Sequence, residues 1–303
     1  MAMLSAATTV PASDRPPVVL VTGTSSGLGL ALARLLWNTS YRVVATARES
    51  SLHHLAAAGL PASDRCWIRP LDITCTDQRS RLIDEINERW GGVDILVNNA
   101  GVAYRTVVEH FTEWGRYDQM NVNFRSPMEL IRLVLPGMRA RRAGRIINVS
   151  SVGGMMAMPT MALYSASKFA LEGASEALWY EVRPWNIHVS LVQPGFIRSD
   201  SFEHTRYTDP SRWSMDHRED PYHPHYENMS AMIQRYMKRS PNTPEDVARV
   251  ILRTMRHPRP ALRVPATLDA HLFGWLRRLL PRGWYHRLLY SRLPRIQTWA
   301  DSR

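Results

Sequence analysis

Short apolar runs and amphipathic segments alternate along most of the chain. The runs are rich in valine and isoleucine, as in parallel strands buried on both faces, and the segments between them have helical periodicity. Strands are predicted at 18–22, 42–47, 67–71, 94–98, 144–149, 187–192 and 262–264, and helices at about 27–38, 50–58, 77–89, 108–139 and 160–182. The alternation predicts an α/β fold with a doubly wound parallel sheet of about seven strands and helices on both faces. Ligands of such sheets bind at the carboxyl ends of the strands.

The alternation stops between residues 199 and 240, a stretch rich in His, Tyr, Asp, Pro and Met. Long irregular segments of compact domains usually have a function, so this one is predicted to be a substrate lid. Periodicity returns at Thr243, where Thr-Pro-Glu-Asp is typical of a capped helix start. Residues 16–265 are therefore predicted to form one domain, preceded by a disordered tail at 1–15 and followed by an extension at 266–303.

Composition narrows the function classes. The chain has 303 residues, 45% of them hydrophobic, and its two cysteines are too few for a disulfide framework. Its first residues lack the basic start and apolar run of a signal peptide, and no stretch of about 18 apolar residues predicts a membrane span. We therefore expect a cytoplasmic protein. The net charge of +11 comes without a nucleic-acid-binding signature, so no nucleic-acid partner is predicted.

Three glycines lie between the first predicted strand and helix, in VLVTGTSSGLGL at 19–30. Glycine permits close approach of another group, and a helix N-terminus offers unpaired N–H groups and the positive end of a dipole. Together these features favour a bound phosphate. A tight turn without a ligand is the alternative that this stretch alone leaves open. The spacing, Gly23-x-x-x-Gly27-x-Gly29, differs from the commoner G-x-G-x-x-G pattern.

A tyrosine and a lysine lie four residues apart in Tyr164-Ser-Ala-Ser-Lys168 and share one face of a predicted helix. A tyrosine hydroxyl has a pKa near 10, and a nearby cation lowers that pKa by stabilising the phenolate. Such a tyrosine can transfer a proton at neutral pH. A lone Y-x-x-x-K is usually a surface pair, so its weight depends on the motifs around it.

Those motifs occur in order: T-G-x-x-x-G-x-G, then N-N-A-G at 98–101, then Y-x-x-x-K. With them, residues 16–265 resemble the short-chain dehydrogenase/reductase family. The resemblance implies a Rossmann fold and a nicotinamide-dependent oxidoreductase. It also implies that Tyr164 is the general acid/base, and that Lys168 lowers the tyrosine pKa and binds the nicotinamide ribose.

Two further catalytic residues are implied by the resemblance. Ser151, thirteen residues before the tyrosine, orients the substrate carbonyl, and the family spacing favours it over its neighbour Ser150. Asn121, in Met-Asn-Val, matches the asparagine that holds a proton-relay water in the family.

Cofactor contacts are implied at the strand ends. Arg48 follows Ala47 where relatives that use NAD have an acidic residue, and a guanidinium suits a 2′-phosphate, so NADP(H) is favoured. The alternative is that Arg48 is solvated and NAD(H) binds. Ser199 stands where the family has threonine in P-G-x-x-x-T. The cofactor-binding residues are Gly23, Thr24, Ser25, Ser26, Gly27, Leu28, Gly29, Arg48, Asp72, Ile73, Asn99, Ala100, Gly101, Tyr164, Lys168, Pro194, Gly195, Ile197 and Ser199.

The substrate is predicted to be a bulky lipophilic carbonyl or alcohol. Methionines follow Ser151, and the lid carries many aromatic side chains, which suggests a roomy apolar pocket. The S-S-V-G-G and Y-S-A-S-K-F-A-L-E-G stretches resemble the 17β-hydroxysteroid and retinol dehydrogenase branches, which implies a steroid-, retinoid- or long-chain-like substrate. No metal is predicted, since the lid histidines lack a typical zinc spacing. A dinucleotide-binding regulatory protein without turnover is the alternative function.

The extension interleaves Leu, Phe and Trp with arginines and resembles two short amphipathic helices that break at Pro281-Arg282-Gly283. It is predicted to make a peripheral membrane contact beside the pocket, or to dock on its own domain or on a second subunit. Family members are often homodimers or homotetramers.

Overall fold

A computed structural model describes residues 15–300, and the predicted tail at 1–15 lies outside them apart from Arg15. Seven parallel strands form one sheet in the order β3-β2-β1-β4-β5-β6-β7. The order reverses between β1 and β4, the switch point at which such sheets bind ligands. The predicted α/β class and strand count are confirmed. The strands are β1 (Val18–Thr22), β2 (Arg42–Ala47), β3 (Cys66–Pro70), β4 (Ile95–Asn98), β5 (Gly144–Val149), β6 (Ile187–Gln193) and β7 (Arg263–Pro265).

Helices cover both faces of the sheet. Val18 and Leu20 of β1 pack into one core cluster with α3, α5 and α6, while Val19 and Val21 pack into another with α1 and α9. Successive side chains of one strand thus enter opposite layers, as a doubly wound sheet requires. The helices are α1 (Gly27–Trp37), α2 (His53–Ala57), α3 (Thr76–Trp90), α4 (Glu113–Met120), α5 (Ser126–Arg141), α6 (Ala162–Val182), α7 (Asp209–Asp216), α8 (His223–Arg239), α9 (Pro244–Arg256), α10 (Leu268–Leu279) and α11 (Arg282–Ser291).

Two predicted helices are divided in the structure. The helix predicted at 108–139 consists of a 3₁₀ turn, α4, a π-helical segment Asn121–Arg125 and α5. Its continuous part begins only at Glu113, because the Thr112 hydroxyl accepts the Gly115 N–H at 3.1 Å and caps α4. The helix predicted at 50–58 is a 3₁₀ turn, Glu49–Ser51, followed by α2.

The segment 199–240 is not irregular, as its composition suggested, but contains α7 and α8. Thr208 caps α7 by accepting the Ser211 N–H. On α8, Tyr226, Met229 and Ile233 recur at helical spacing and are buried. The many polar residues between them hid this periodicity, because only one narrow stripe of the helix faces the core.

The extension forms two helices, α10 and α11, which separate at Pro281. Ala270 of α10 packs against Val152 and Met155, and Trp299 packs against Met229 of α8. The extension therefore docks on its own domain. No helix within residues 15–300 is long and apolar enough to cross a membrane.

Candidate active site

The glycine-rich turn lies at the carboxyl end of β1. Gly23 and Gly27 have φ of +70° and +52°. A Cβ on Gly23 would lie 2.7 Å from Ala100 Cα, and a Cβ on Gly29 would collide with the carbonyl of Gly23. At Gly27 a Cβ would have no atom within 4 Å. Packing therefore requires two of the glycines, while the third leaves open space before the N-terminus of α1, where a phosphate would fit.

Asn99 and Thr22 tie this turn to the next strand. The Thr22 hydroxyl accepts the N–H groups of Asn99 and Ala100 at 3.0 and 3.1 Å, and Asn99 Nδ2 donates to the carbonyls of Thr22 and Gly23 at 2.9 Å. A Cβ on Gly101 would lie 3.9 Å from Lys168 Nζ. The N-N-A-G stretch thus links the glycine-rich turn to the lysine.

The polar residues in and near this turn differ in whether their side chains are free to bind a ligand. Thr24 is fully buried, and its hydroxyl donates to the carbonyl of Thr46 at 3.1 Å, so it holds the turn in place. Ser26 is exposed, and its side chain does not cap α1. Arg48 is exposed at the end of β2 and has no ion pair or side-chain hydrogen bond within residues 15–300. Ser26 and Arg48 are therefore free to meet a ligand.

Asp72 and Ile73 follow β3. Asp72 Oδ1 accepts the N–H and the hydroxyl of Thr74 at 2.9 and 2.7 Å, which fixes the turn into α3. The other carboxylate oxygen takes no part in these bonds, and Ile73 is buried. Asp72 therefore holds this turn through one carboxylate oxygen, and its predicted contact with the cofactor stays a prediction.

Ser151, Tyr164 and Lys168 come together where β5 ends against α6. Tyr164 and Ser151 lie side by side against Gly153, and the Ser151 hydroxyl accepts the Gly153 N–H at 3.0 Å. A Cβ on Gly153 would lie 2.7 Å from Tyr164 Cε1, so the tyrosine ring packs on this glycine. Lys168 Nζ donates to the carbonyl of Val149 at 2.8 Å and lies 5.9 Å from the centre of the Tyr164 ring.

Burial dominates the ionisation of both groups. It raises the pKa of Tyr164, an effect that the hydrogen bond from Ser151 partly offsets. It lowers the pKa of Lys168 from 10.5 to about 8, against the opposing effect of Glu172. Burial sets the net direction for Tyr164, and the prediction that Lys168 lowers the tyrosine pKa stays a prediction.

The two neighbouring serines face different ways. A Cβ on Gly154 would lie 2.7 Å from the Ser150 hydroxyl, which is buried and has no hydrogen-bond partner within residues 15–300. Of the two hydroxyls, only that of Ser151 lies with Tyr164 beside Gly153. The geometry thus favours the same serine that the motif spacing favoured.

Asn121 is the first residue of the π-helical segment after α4. Segments of this kind are frequent at functional sites because they widen the helix and redirect side chains. Sequence reasoning missed Asn123, which is buried two residues later. Its Oδ1 accepts the Val102 N–H at 2.8 Å and its Nδ2 donates to Ser167 on α6 at 3.1 Å. A buried amide that joins three segments supports the position of α6, and the only sequence signal for it is a polar residue inside a predicted helix.

The loop 194–199 follows β6 and carries the P-G-x-x-x-S stretch. The Ser199 hydroxyl caps a short 3₁₀ turn and bonds to Ser201 at 3.0 Å. Two N–H groups of the loop bind side chains of the extension: Gly195 to Thr267 Oγ1 at 2.8 Å, and Phe196 to Asp269 Oδ2 at 2.7 Å. Sequence reasoning missed both partners, since more than 70 residues separate them from the loop.

The lid segment packs on the loop that follows N-N-A-G. Arg105 is fully buried there, where it donates to Ser230 of α8 at 3.0 Å and to Thr160 at 3.1 Å. Three histidines of this segment, His204, His217 and His223, bond to nearby backbone carbonyls. No group of three metal-ligating side chains occurs within residues 15–300.

A cavity of about 520 Å³ lies between α9, β7 and the start of α10, and none of the four predicted catalytic residues lines it. The roomy apolar pocket beside Ser151 stays a prediction. Met155 and Met156 are instead buried in the packing beside Ser151.

Comparison with known proteins places this site in context. The family model for short chain dehydrogenase matches residues 17–209. Retinol dehydrogenase 8 of Bos taurus is 32% identical over 83% of this chain and 81% of its own. Human 17-beta-hydroxysteroid dehydrogenase type 1 is 32% identical over 81% of this chain and 76% of its own. A 3-ketodihydrosphingosine reductase of Bacteroides thetaiotaomicron is 40% identical over 60% of this chain and 64% of its own.

Solved structures of short-chain dehydrogenases and oxidoreductases are also similar to this chain. A short-chain dehydrogenase from Streptomyces avermitilis is 30% identical over 93% of this chain and 98% of its own, with a TM-score of 0.74. A metagenomic short-chain oxidoreductase in complex with NADP is 26% identical over 84% of this chain and 100% of its own, with a TM-score of 0.62. A short chain dehydrogenase/reductase from Burkholderia phymatum in complex with NAD shares the fold, with a TM-score of 0.71. It is 22% identical over 91% of this chain and 95% of its own.

Proposed function

The chain belongs to the short-chain dehydrogenase/reductase family, and on that basis we propose that it is an NADP(H)-dependent oxidoreductase that interconverts a carbonyl and an alcohol. The observation that carries this proposal is the contact of Ser151 with Tyr164 beside Lys168. The open space at Gly27 before α1 and the unpaired guanidinium of Arg48 fit a dinucleotide with a 2′-phosphate. When bound, the cofactor supplies or accepts the hydride.

The protein's own residues would manage the proton. In reduction, Ser151 and Tyr164 donate hydrogen bonds to the substrate carbonyl oxygen, and Tyr164 then gives up its proton. The raised pKa of Tyr164 keeps it protonated at neutral pH, as a general acid requires. Lys168 is charged below a pH of about 8 and stabilises the phenolate as it forms. Asn121 would hold a water that returns the proton.

Arg48 is proposed to select the phosphorylated cofactor. Titration of the wild type and Arg48→Ala with NADPH and NADH, followed by fluorescence, tests this. We expect NADPH to bind the wild type at least tenfold more tightly, with the difference lost in the variant. Arg34→Ala, which removes an exposed arginine from α1, is the control for lost surface charge. Equal affinity for both cofactors in the wild type would favour the NAD-linked alcohol dehydrogenase instead.

The proposed substrate is a bulky lipophilic carbonyl or alcohol, steroid-, retinoid- or long-chain-like. Met158 and the segment 199–240 residue Phe202, which are apolar and only partly buried, support this proposal. So do the names of the three relatives, which describe a retinol, a hydroxysteroid and a ketodihydrosphingosine. A panel of such carbonyls, read by NADPH consumption, tests it against short polar carbonyls as controls. Cofactor binding without turnover of any carbonyl or alcohol would favour the non-catalytic regulatory protein.

We further propose that the enzyme is cytoplasmic and lies peripherally at a membrane surface. Leu268, Leu272, Trp275 and Leu279 form an exposed stripe on α10 at helical spacing, opposite Ala270, which faces the domain. The arginines of the extension would favour anionic lipid. Flotation with anionic and with zwitterionic vesicles tests this: Trp275→Asp should abolish binding, and Trp114→Asp, an exposed aromatic on α4, should not.

Self-association into homodimers or homotetramers is proposed as well. Exposed aromatic side chains of α4 and α6, Tyr117 and Tyr180 among them, offer a surface for a second copy. Sedimentation equilibrium of the wild type and Tyr180→Asp measures it.

A further inference from the structure

The first turn of the C-terminal extension holds the loop after β6 by its backbone. Thr267 Oγ1 accepts the N–H of Gly195 at 2.8 Å, and Asp269 Oδ2 accepts the N–H of Phe196 at 2.7 Å. One residue earlier, the Ala266 N–H donates to the carbonyl of Gln193 at 3.0 Å. Backbone from 193 to 196 is thus fixed by residues 266–269.

Asp269 also explains the glycine in the P-G pair. A Cβ on Gly195 would collide with both carboxylate oxygens of Asp269, so the carboxylate occupies the space that a side chain would take. Asp269 Oδ1 is buried and has no hydrogen-bond partner within residues 15–300. Burying such an oxygen is costly, and a cost of this kind calls for an explanation beyond packing.

The same turn connects the loop to the catalytic serine. Thr267 caps α10 by accepting the Ala270 N–H at 3.4 Å, so the helix begins where it binds the loop. Ala270 then packs against Val152 and Met155, just after Ser151. A single helix start therefore contacts the segments that follow both β5 and β6.

From this arrangement we propose that Thr267 and Asp269 are positioning residues for the nicotinamide end of the cofactor site. The inference rests on the proposed function, in which the loop 194–199 holds the nicotinamide carboxamide. The two side chains set the backbone direction of Gly195 and Phe196 and thereby place Ile197 and Ser199. The extension is then a part of the active-site frame, and residues 16–265 alone do not form a complete site.

Binding measurements with two ligands test the proposal. NADP⁺ reaches the nicotinamide end of the site, while 2′-phospho-ADP-ribose keeps the adenosine, the pyrophosphate and the second ribose and lacks only the nicotinamide. We expect Asp269→Ala and Thr267→Val to weaken NADP⁺ binding at least tenfold and to leave 2′-phospho-ADP-ribose binding within twofold of the wild type. Thr267→Ser keeps the accepting hydroxyl and should restore NADP⁺ affinity.

Hydrogen exchange of the cofactor-free protein measures directly whether the two N–H groups of the loop are hydrogen-bonded. The amides of Gly195 and Phe196 should lose protection in Thr267→Val and Asp269→Ala respectively. Glu245→Ala removes an exposed carboxylate from the first turn of another helix, α9, and is the matched control; it should change neither reading.

Each failure has a distinct meaning. If the wild type binds NADP⁺ and the variants bind it equally well, the two side chains are structural only and the inference is overturned. Equal weakening of both ligands would indicate general damage to the fold and would overturn it too. If the wild type binds neither NADP⁺ nor NAD⁺, the proposed function fails, and the inference fails with it.

Discussion

Replacement of Lys168 by arginine keeps the positive charge at this position but removes its titration near pH 8. With a pKa of about 8, the wild-type side chain is about 90% charged at pH 7 and about 10% charged at pH 9. If the cation stabilises the developing Tyr164 phenolate, kcat/KM for carbonyl reduction should fall about tenfold between these two pH values. Arginine stays charged throughout, so this fall should disappear in Lys168→Arg even if the variant is slower at every pH.

The chain offers a direct measurement of this pKa, because Lys168 and Lys238 are its only lysines. Protein labelled with ¹³C at lysine Cε should give two resonances. Lys238→Arg assigns them, since Lys238 is exposed near the end of α8. The Lys168 resonance should titrate near pH 8. Identical pH profiles of reduction in the wild type and Lys168→Arg, or a Lys168 resonance that titrates above pH 10, would refute the reasoning.

Stability should respond to the same ionisation. The lowered pKa means that the folded state disfavours the charged lysine, by about 3 kcal/mol for a shift from 10.5 to about 8. That cost is fully present below pH 8. Between about pH 8 and 10.5 only the unfolded chain keeps the proton, so the contribution of Lys168 to the free energy of unfolding should rise with pH. Urea denaturation of the wild type and Lys168→Met at pH 7 and pH 10 measures the difference, which should be absent if the lysine is solvated.

Three further changes test other contacts. Ser151→Ala should reduce kcat by about 10²-fold or more. Ser150→Ala should leave the steady-state kinetics nearly unchanged, because the Ser150 hydroxyl has no partner within residues 15–300. The reverse pattern would mean that Ser150 is the catalytic serine. Gly153→Ala should lower kcat at least tenfold with little change in NADPH affinity, because its Cβ would displace the Tyr164 ring, and an unchanged kcat would show that the ring can yield. Trp299→Ala should cost about 3 kcal/mol in a urea denaturation experiment, since the indole is buried against α8, and a loss below about 1 kcal/mol would mean that the end of the extension is not docked.

Local sequence patterns predicted most of the fold. The bounds of all seven strands were predicted to within about a residue. The central strands follow from runs rich in valine and isoleucine, because a strand buried on both faces needs an unbroken apolar stretch. The helices of the segment 199–240 were missed, since their buried stripe is narrow and the polar residues around it outnumber it. The division at Asn121–Arg125 was missed as well, because a π-helical segment depends on how α4 and α5 pack on α6 and not on local propensity.

The candidate site, like the fold, could be predicted from the sequence only in part. Tyr164 and Lys168 are one helical turn apart, so their shared face follows from spacing alone. The net ionisation of Tyr164 does not follow from it. Burial of a side chain is set by every segment that packs around it, and here burial raises the pKa of Tyr164, while the effect of Lys168 on that pKa stays a prediction.

What the sequence determined by itself was the order of strands and helices, the glycine-rich turn and the pairing of Tyr164 with Lys168, all of which arise between residues close along the chain. Only the tertiary structure decided that Asp269 fills the space above Gly195 and that Arg105 lies beneath the lid. These contacts join segments more than 70 residues apart, and no local periodicity encodes them. Whether a carboxylate near the end of the chain meets a loop of the active site depends on how α10 docks, and that docking is a property of the packed whole.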